Sequence, residues 1–153
     1  MIRFETQQMI ARPAEEVWTY AADILRHPEW MGVADAHILA GQGTDVGARG
    51  RERLLFGPFR WDVEIEVTEA VPGRRIVWRS VAGGPFRGDV TLDLEPVGPR
   101  STRATYRAGI QPHGLWWLLA PVVAMEGKAG QARELQRLKK RVEGAPALAP
   151  AAS

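Results

Sequence analysis

The chain has 153 residues, 45% hydrophobic and 25% charged, with six Trp; that length suits one domain with a sizeable core, and the composition excludes disorder, collagen-like and coiled-coil structure. Cysteine is absent, which excludes disulfides, thiolate nucleophiles and Cys-based zinc sites. Twenty basic against 18 acidic residues leave a net charge of +2, too small an excess for a polybasic surface, so nucleic acid is not an expected partner.

Residues Ile2 to Ile10 alternate imperfectly and read as a first strand. No charged region followed by an apolar one comes before it, so no signal peptide is expected and a cytoplasmic location is the default. Pro13 suits a helix start, because the first turn leaves its N–H position unpaired anyway. A helix is therefore expected over Pro13 to Ala22, with Val17, Trp18 and Ala21 facing the core. A second short helix or turn follows at Ile24 to Trp30, with Asp23 as its cap and Pro28 interrupting it.

From Ala36 to Ile110 the period changes to short alternating segments separated by Gly and Pro clusters. The expected strands are Ala36 to Ala40, Ala48 to Leu55, Phe59 to Ala70, Arg75 to Ser80, Phe86 to Glu95 and Thr102 to Ile110. Their short connections favour antiparallel hairpins, since a parallel crossover needs about a dozen residues. Trp61, Val63, Ile65 and Val67 share one face, with Asp62, Glu64 and Glu66 on the other, which predicts one buried and one wet side. Beyond His113-Gly114 the period becomes helical to about Val142, with an apolar stripe through Leu115, Leu118, Leu119, Val122, Met125, Ala129, Ala132, Leu135, Leu138 and Val142 and Glu134 on the polar face. The longest apolar stretch, Leu115 to Met125, contains Pro121 and falls short of the roughly 20 residues a bilayer requires, so no transmembrane segment is expected. The domain is assigned to residues 2–142, and 143–153, mostly Ala and Pro, to a loose tail.

The order of elements and several segments resemble the SRPBCC superfamily, the START, birch-pollen-allergen and polyketide cyclase/dehydrase group. The segments are Ile10 to Trp18, Asp23 through Pro28-Glu29-Trp30, Trp61 to Glu69, Arg75 to Arg79, Phe86-Arg87-Gly88 and Thr102 to Tyr106. The resemblance implies an α+β helix-grip fold: two short helices after the first strand, and a curved seven-stranded antiparallel sheet wrapped around a long C-terminal helix. It also implies a cavity between sheet and helix for a hydrophobic small molecule that is polyketide-, lipid- or quinone-like. Members of the group include cyclases, non-enzymatic carriers and chaperone activators, and a protein-interaction module stays open beside the cyclase/dehydrase and carrier readings.

The residues expected to line such a cavity are Trp30, Trp61, Val63, Trp78, Phe86, Tyr106, Leu119, Val122 and Val123, together with Trp116. Trp30, Trp61 and Trp78 serve equally well as plain core. Adjacent helical residues point about 100° apart, so Trp116 and Trp117 cannot both face inward, which leaves a cavity gate, a membrane-touching tip or a homodimer contact open. Arg51 and Arg53 are candidate catalytic groups if their strand face is concave, since a guanidinium suits a carbonyl or carboxylate; a solvated face is the plainer reading. Tyr106 is a candidate phenolic donor to a bound oxygen, or a buried Tyr with a structural hydrogen bond. His27, His37 and His113 show no metal-ligand spacing, so no metal is expected, although a general base among them stays open. No GxSxG, P-loop or dinucleotide glycine motif occurs, and no cofactor is expected.

Overall fold

The computed structural model describes residues 1–146. Strand β1 (Ile2–Ile10) leads into helix α1 (Ala14–Ala21), a 3-10 turn (Ile24–Arg26) and the single-turn helix α2 (His27–Trp30). Six strands follow: β2 (Val33–Ala40), β3 (Arg49–Phe56), β4 (Phe59–Val71), β5 (Arg75–Gly83), β6 (Phe86–Gly98) and β7 (Ser101–Pro112). A second 3-10 segment (Gly114–Leu119) then opens helix α3 (Ala120–Gly144). Of the expected tail, residues 143 and 144 finish α3, and the part from residue 147 onward lies outside the described residues.

Local chemistry accounts for the boundaries. Pro13 stands at the N-cap of α1 in an extended conformation, and Glu15 and Glu16 lie in the first turn, where the positive end of the helix dipole favours them. Asp23 caps the turn after α1, its carboxylate accepting from the Leu25 N–H at 3.0 Å. The β5–β6 hairpin turns through Gly83 and Gly84, both at positive φ; a Cβ at Gly83 would lie 2.2 Å from the Asp62 carbonyl oxygen, so the close approach of β4 requires glycine there.

All seven strands join one antiparallel sheet in the order β1-β7-β6-β5-β4-β3-β2. The expected curved sheet wrapped around the C-terminal helix is corrected by this arrangement. The sheet is open and uncurled, β1 and β2 are opposite edges that do not pair, and α3 lies chiefly along β1, with α2 beside it. The seat of α3 explains its position. At Gly127 the helix backbone comes so close to the Phe4 ring of β1 that it is held to that edge rather than centred over the strands.

The strand parities follow the expected alternation. Val63, Ile65 and Leu92 are buried and Val90 is part-buried on the inner face. The core is concentrated at one end of the strands, where Ile10, Val67, Ile76, Leu94 and Ala104 meet Val17 and Ala21 of α1 and Leu135, Leu138 and Val142 of α3. The other end, toward Ile2, Trp61, Phe86 and Ile110, is less tightly covered, since those four side chains are part-exposed. Along each inward-facing strand there is therefore a gradient from packed core to accessible apolar surface.

Candidate functional site

The aromatic residues expected to share one cavity are divided between two groups. The outer group draws on four elements at the open end: Phe56 from β3, Phe59 and Trp61 from β4, Phe86 from β6 and Trp116 from the 3-10 segment before α3. Trp61 is its centre, with ring centroids 5.4 Å from Phe59, 5.6 Å from Trp116 and 5.8 Å from Phe86. The contacts with Trp116 and Phe86 are edge-to-face, the geometry that the ring quadrupole favours. Trp116 belongs to this group, whereas its neighbour Trp117 is 45% exposed. The two diverge as adjacent residues of a winding segment must.

The inner group is buried. His27 sits edge-on to Trp78 at 4.9 Å and to Trp30 at 5.8 Å, and Trp30 lies 5.7 Å from Tyr106. Each polar atom here is held from a different element. His27 Nδ1 pairs with the buried Glu52 carboxylate of β3. In the neutral imidazole, a proton on Nδ1 directed at that carboxylate makes Nε2 a lone-pair acceptor. The Tyr106 hydroxyl donates to Glu134 Oε2 at 2.9 Å, and the Gly32 N–H donates to Glu134 Oε1 at 2.9 Å. Arg137 extends along α3 to donate to the Trp30 carbonyl at 3.0 Å, tying α3 to α2.

Burial dominates the electrostatics of this group. It pushes the Tyr106 phenol well above its ordinary range, reinforced by the negative charge of Glu134, so the hydroxyl stays a donor. The stem of Glu134 is part-exposed but its carboxyl is desolvated, which raises its pKa; the hydrogen bonds from Tyr106 and Gly32 and the charge of Arg137 oppose that rise without cancelling it. Several buried polar atoms have no partner: His27 Nε2, Trp30 Nε1, Trp78 Nε1, Thr6 Oγ1 and both amide atoms of Gln131. Thr6 is the register partner of Tyr106 across β1 and β7, and Gln131 lies one turn before Glu134 on α3. These six atoms therefore lie on the inner side of the sheet, around the buried rings.

Arg51 and Arg53 lie elsewhere. On β3 the inward positions are Gly50, Glu52 and Leu54, so the arginines between them point to solvent. There each faces an acid directly across the β3–β4 register: Arg51 is 3.7 Å from Glu64 and Arg53 is 3.2 Å from Asp62. These are exposed cross-strand charge pairs, remote from the inner group. Val122 also needs correction, being 46% exposed while Val123 is 3% exposed. The 3-10 winding through Leu119 advances the chain by about three residues per turn instead of 3.6, and this shifts the phase at which α3 enters. The inward row of α3 accordingly runs through Val123, Gly127, Gln131, Leu135, Leu138 and Val142, while Leu115, Leu118 and Met125 are exposed and Leu119 is part-exposed.

Three contributors to the inner group, Glu52, Gln131 and Glu134, lay outside the expected set, and His27 entered it only as one of three open general-base candidates. Glu52 had a signal in the sequence, because the parity that turns Arg51 and Arg53 outward turns Glu52 inward. Among the described residues, no group of three or more His, Asp or Glu is placed to hold a metal ion, and no helix is long and apolar enough to cross a membrane.

Comparison with known proteins bears on this architecture. A START superfamily protein from Mycobacterium smegmatis superposes with a TM-score of 0.80 at 18% identity, covering 92% of this chain and 97% of that one. A conserved protein from Geobacillus kaustophilus gives 0.76 at 18% identity, covering 92% and 95%. The Zhui aromatase/cyclase from Streptomyces sp. R1128 gives 0.77 at 13% identity, covering 92% and 93%. At these identities the likeness shows the fold, which is SRPBCC/START-like. No curated protein matches the sequence. A family model described as polyketide cyclase/dehydrase and lipid transport matches residues 1–143, and a general hydrophobic-ligand-binding role accords with that family and with a helix laid on a sheet. The chain belongs to the polyketide cyclase/dehydrase and lipid transport family.

Proposed function

We propose that the protein binds an elongated apolar molecule, polyketide-, lipid- or quinone-like, along the inner face of the sheet, with the outer aromatic group at its entrance. The observation that carries this reading is the outer group itself. Four part-exposed or exposed rings, Phe56, Phe59, Phe86 and Trp116, converge on Trp61, and part-exposed apolar residues, Leu54 of β3 and Val90 of β6, continue from them toward the buried group. Rigid aromatic surface gives a large contact area for little loss of conformational entropy, which suits a site for apolar ligands. Binding is the primary role, because both carboxyl groups at the deep end are enclosed and already paired, Glu52 with His27 and Glu134 with Tyr106 and the Gly32 N–H.

The test is titration with a fatty acid, a naphthol and a short-chain quinone, followed by equilibrium dialysis. Trp61→Ala should weaken whichever ligand binds by roughly tenfold or more, in line with loss of a buried aromatic contact, and the exposed Trp117→Ala should leave it unchanged. Equal affinities for the two variants would overturn the entrance assignment.

Cyclase/dehydrase chemistry is a second reading, favoured by one observation. Tyr106 and Glu134 form a hydrogen-bonded phenol–carboxyl pair in which burial raises the carboxyl from its ordinary range, the direction that suits a general acid, while the phenol stays protonated and can donate a hydrogen bond to a ligand carbonyl. Tyr106 is then the catalytic donor, and Arg51 and Arg53 take no part. Turnover of an aromatic polyketide substrate that survives Tyr106→Phe undiminished would remove this reading and leave the carrier role.

A further inference from the structure

Three of the inner group's unpartnered polar atoms, His27 Nε2, Trp30 Nε1 and Trp78 Nε1, belong to rings in mutual contact. His27 and Trp30 are wholly buried and Trp78 is 3% exposed. Buried polar groups are nearly always partnered, so three orphans on adjoining rings are a departure that stability does not explain. Their chemistry is complementary. The indole N–H groups can only donate, whereas His27, with Nδ1 committed to Glu52, presents an acceptor at Nε2.

Resting on the ligand reading above, we propose that these three atoms form the deep end of the site and select an apolar ligand that carries a terminal hydroxyl. A hydroxyl oxygen accepts from an indole N–H while its proton goes to His27 Nε2, so one group answers both kinds of orphan. A carbonyl or an ether oxygen supplies acceptors only and leaves Nε2 without a proton to bind. A hydrocarbon end satisfies none of them.

The strands supply the line between entrance and deep end. On β3 the inward positions run Phe56, Leu54, Glu52, and on β4 they run Trp61, Val63, Ile65, with Leu54 opposite Trp61 and Glu52 opposite Val63 in register. Glu52 holds His27, and Trp78 is the register partner of Val90 on β6, which belongs to the same inner face as Phe86. Four residues along a strand span about 13 Å. A molecule of about four linearly fused rings, or an alkyl chain of similar length, therefore reaches the outer aromatics when its hydroxyl is at His27, and a two-ring molecule spans about half of that path.

The test compares 2-naphthol, its methyl ether 2-methoxynaphthalene, and naphthalene by equilibrium dialysis against the intact chain. The expected result is naphthol binding about tenfold more tightly than the ether, the size given by the one hydrogen bond that naphthol donates to His27 Nε2 and the ether cannot. In Trp78→Phe, which keeps an aromatic ring but removes the N–H, the advantage of naphthol over naphthalene should fall by about threefold or more. Trp30→Phe gives the same reading if Trp78→Phe does not fold. Equal binding of naphthol and ether by the unmodified protein would overturn the hydroxyl site and leave the apolar-ligand reading standing. An advantage of naphthol over naphthalene that both variants retain in full would also overturn it. Failure of all three compounds to bind would overturn both.

Discussion

Two glycines one turn apart on α3 should respond to the same substitution with opposite signs. A Cβ on Gly127 would lie 2.3 Å from Phe4 Cζ and 2.6 Å from Cε2, whereas a Cβ on Gly130 would meet nothing nearer than the Arg133 guanidinium at 3.8 Å. Alanine is favoured over glycine inside a helix by roughly 1 kcal/mol. Gly130→Ala should therefore stabilise the protein by about 0.5–1 kcal/mol. At Gly127 the same gain is set against overpacking, which typically costs about 1–3 kcal/mol when a ring must move in a packed site; the net effect should be a loss of up to about 2 kcal/mol. Urea unfolding curves give both values from midpoint shifts at constant slope. The cause is isolated by a double-mutant cycle with Phe4→Leu, which removes the ring edge and should reduce the penalty at Gly127, with a coupling of about 1 kcal/mol or more between contacting sites. If Gly127→Ala stabilises as much as Gly130→Ala, α3 is not seated on Phe4 and its position along β1 needs another explanation.

The corrected helix phase gives a second pair: Val123→Asp should cost several kcal/mol in thermal melts, because it places a carboxylate in a buried apolar contact, while Val122→Asp should stay within about 0.5 kcal/mol. Glu134 supplies a pH prediction. Its folded pKa lies above the unfolded value near 4.5, so the folded state holds the extra proton between those two values and stability should fall as pH rises through that window. Glu134→Gln should flatten that part of the stability profile, and an unchanged slope would remove Glu134 as its source. The phenol of Tyr106 follows the same sign at alkaline pH. Its proton is retained above the ordinary value of 10.0, so its contribution is present below that pH and is lost as pH climbs toward the folded pKa. In absorbance titrations Tyr106→Phe should delete the phenol that ionises late, and a wild-type trace in which both tyrosines titrate near 10 would refute its burial.

Much of the frame was legible because it depends on short-range rules. Alternation on β4 and β6, glycine and proline at the hairpin turns, Pro13 at the start of α1 and Asp23 as a cap each act within a few residues, where physical chemistry restricts the options. What escaped depends on distance in the chain or on accumulated phase. His27 and Glu52 are 25 positions apart, and Tyr106 and Glu134 are 28 apart. Each of these acids read alone is a solvated side chain, and only the fold brings its partner. Glu134 looked polar-facing because the helix was phased from Leu115, but the 3-10 segment ahead of Ala120 resets that phase and carries Val122 outward with it. The course of the sheet was illegible for a related reason. Local alternation says which side of a strand is buried, but not whether the two edges of a seven-stranded sheet approach each other.

The departures from local rules are concentrated in one place, and that bears on function more than any single contact does. Toward the Leu138 and Val142 end of α3 the interior follows the ordinary pattern, with aliphatic residues from α1, α3 and the strands packed together. Around Trp30 the same interior holds a histidine, two carboxyl groups and a phenol, with indole N–H groups lacking partners. Stability alone would favour replacing such a set, since substituting a buried ion pair with well-packed apolar side chains is commonly neutral or stabilising. Each orphaned donor or acceptor adds a penalty of about 1–3 kcal/mol. The helix therefore has two separable tasks: its Leu138 end closes an apolar core that holds the fold, and its middle turns, through Gln131 and Glu134, complete a polar recess that weakens the fold while giving a ligand something to recognise.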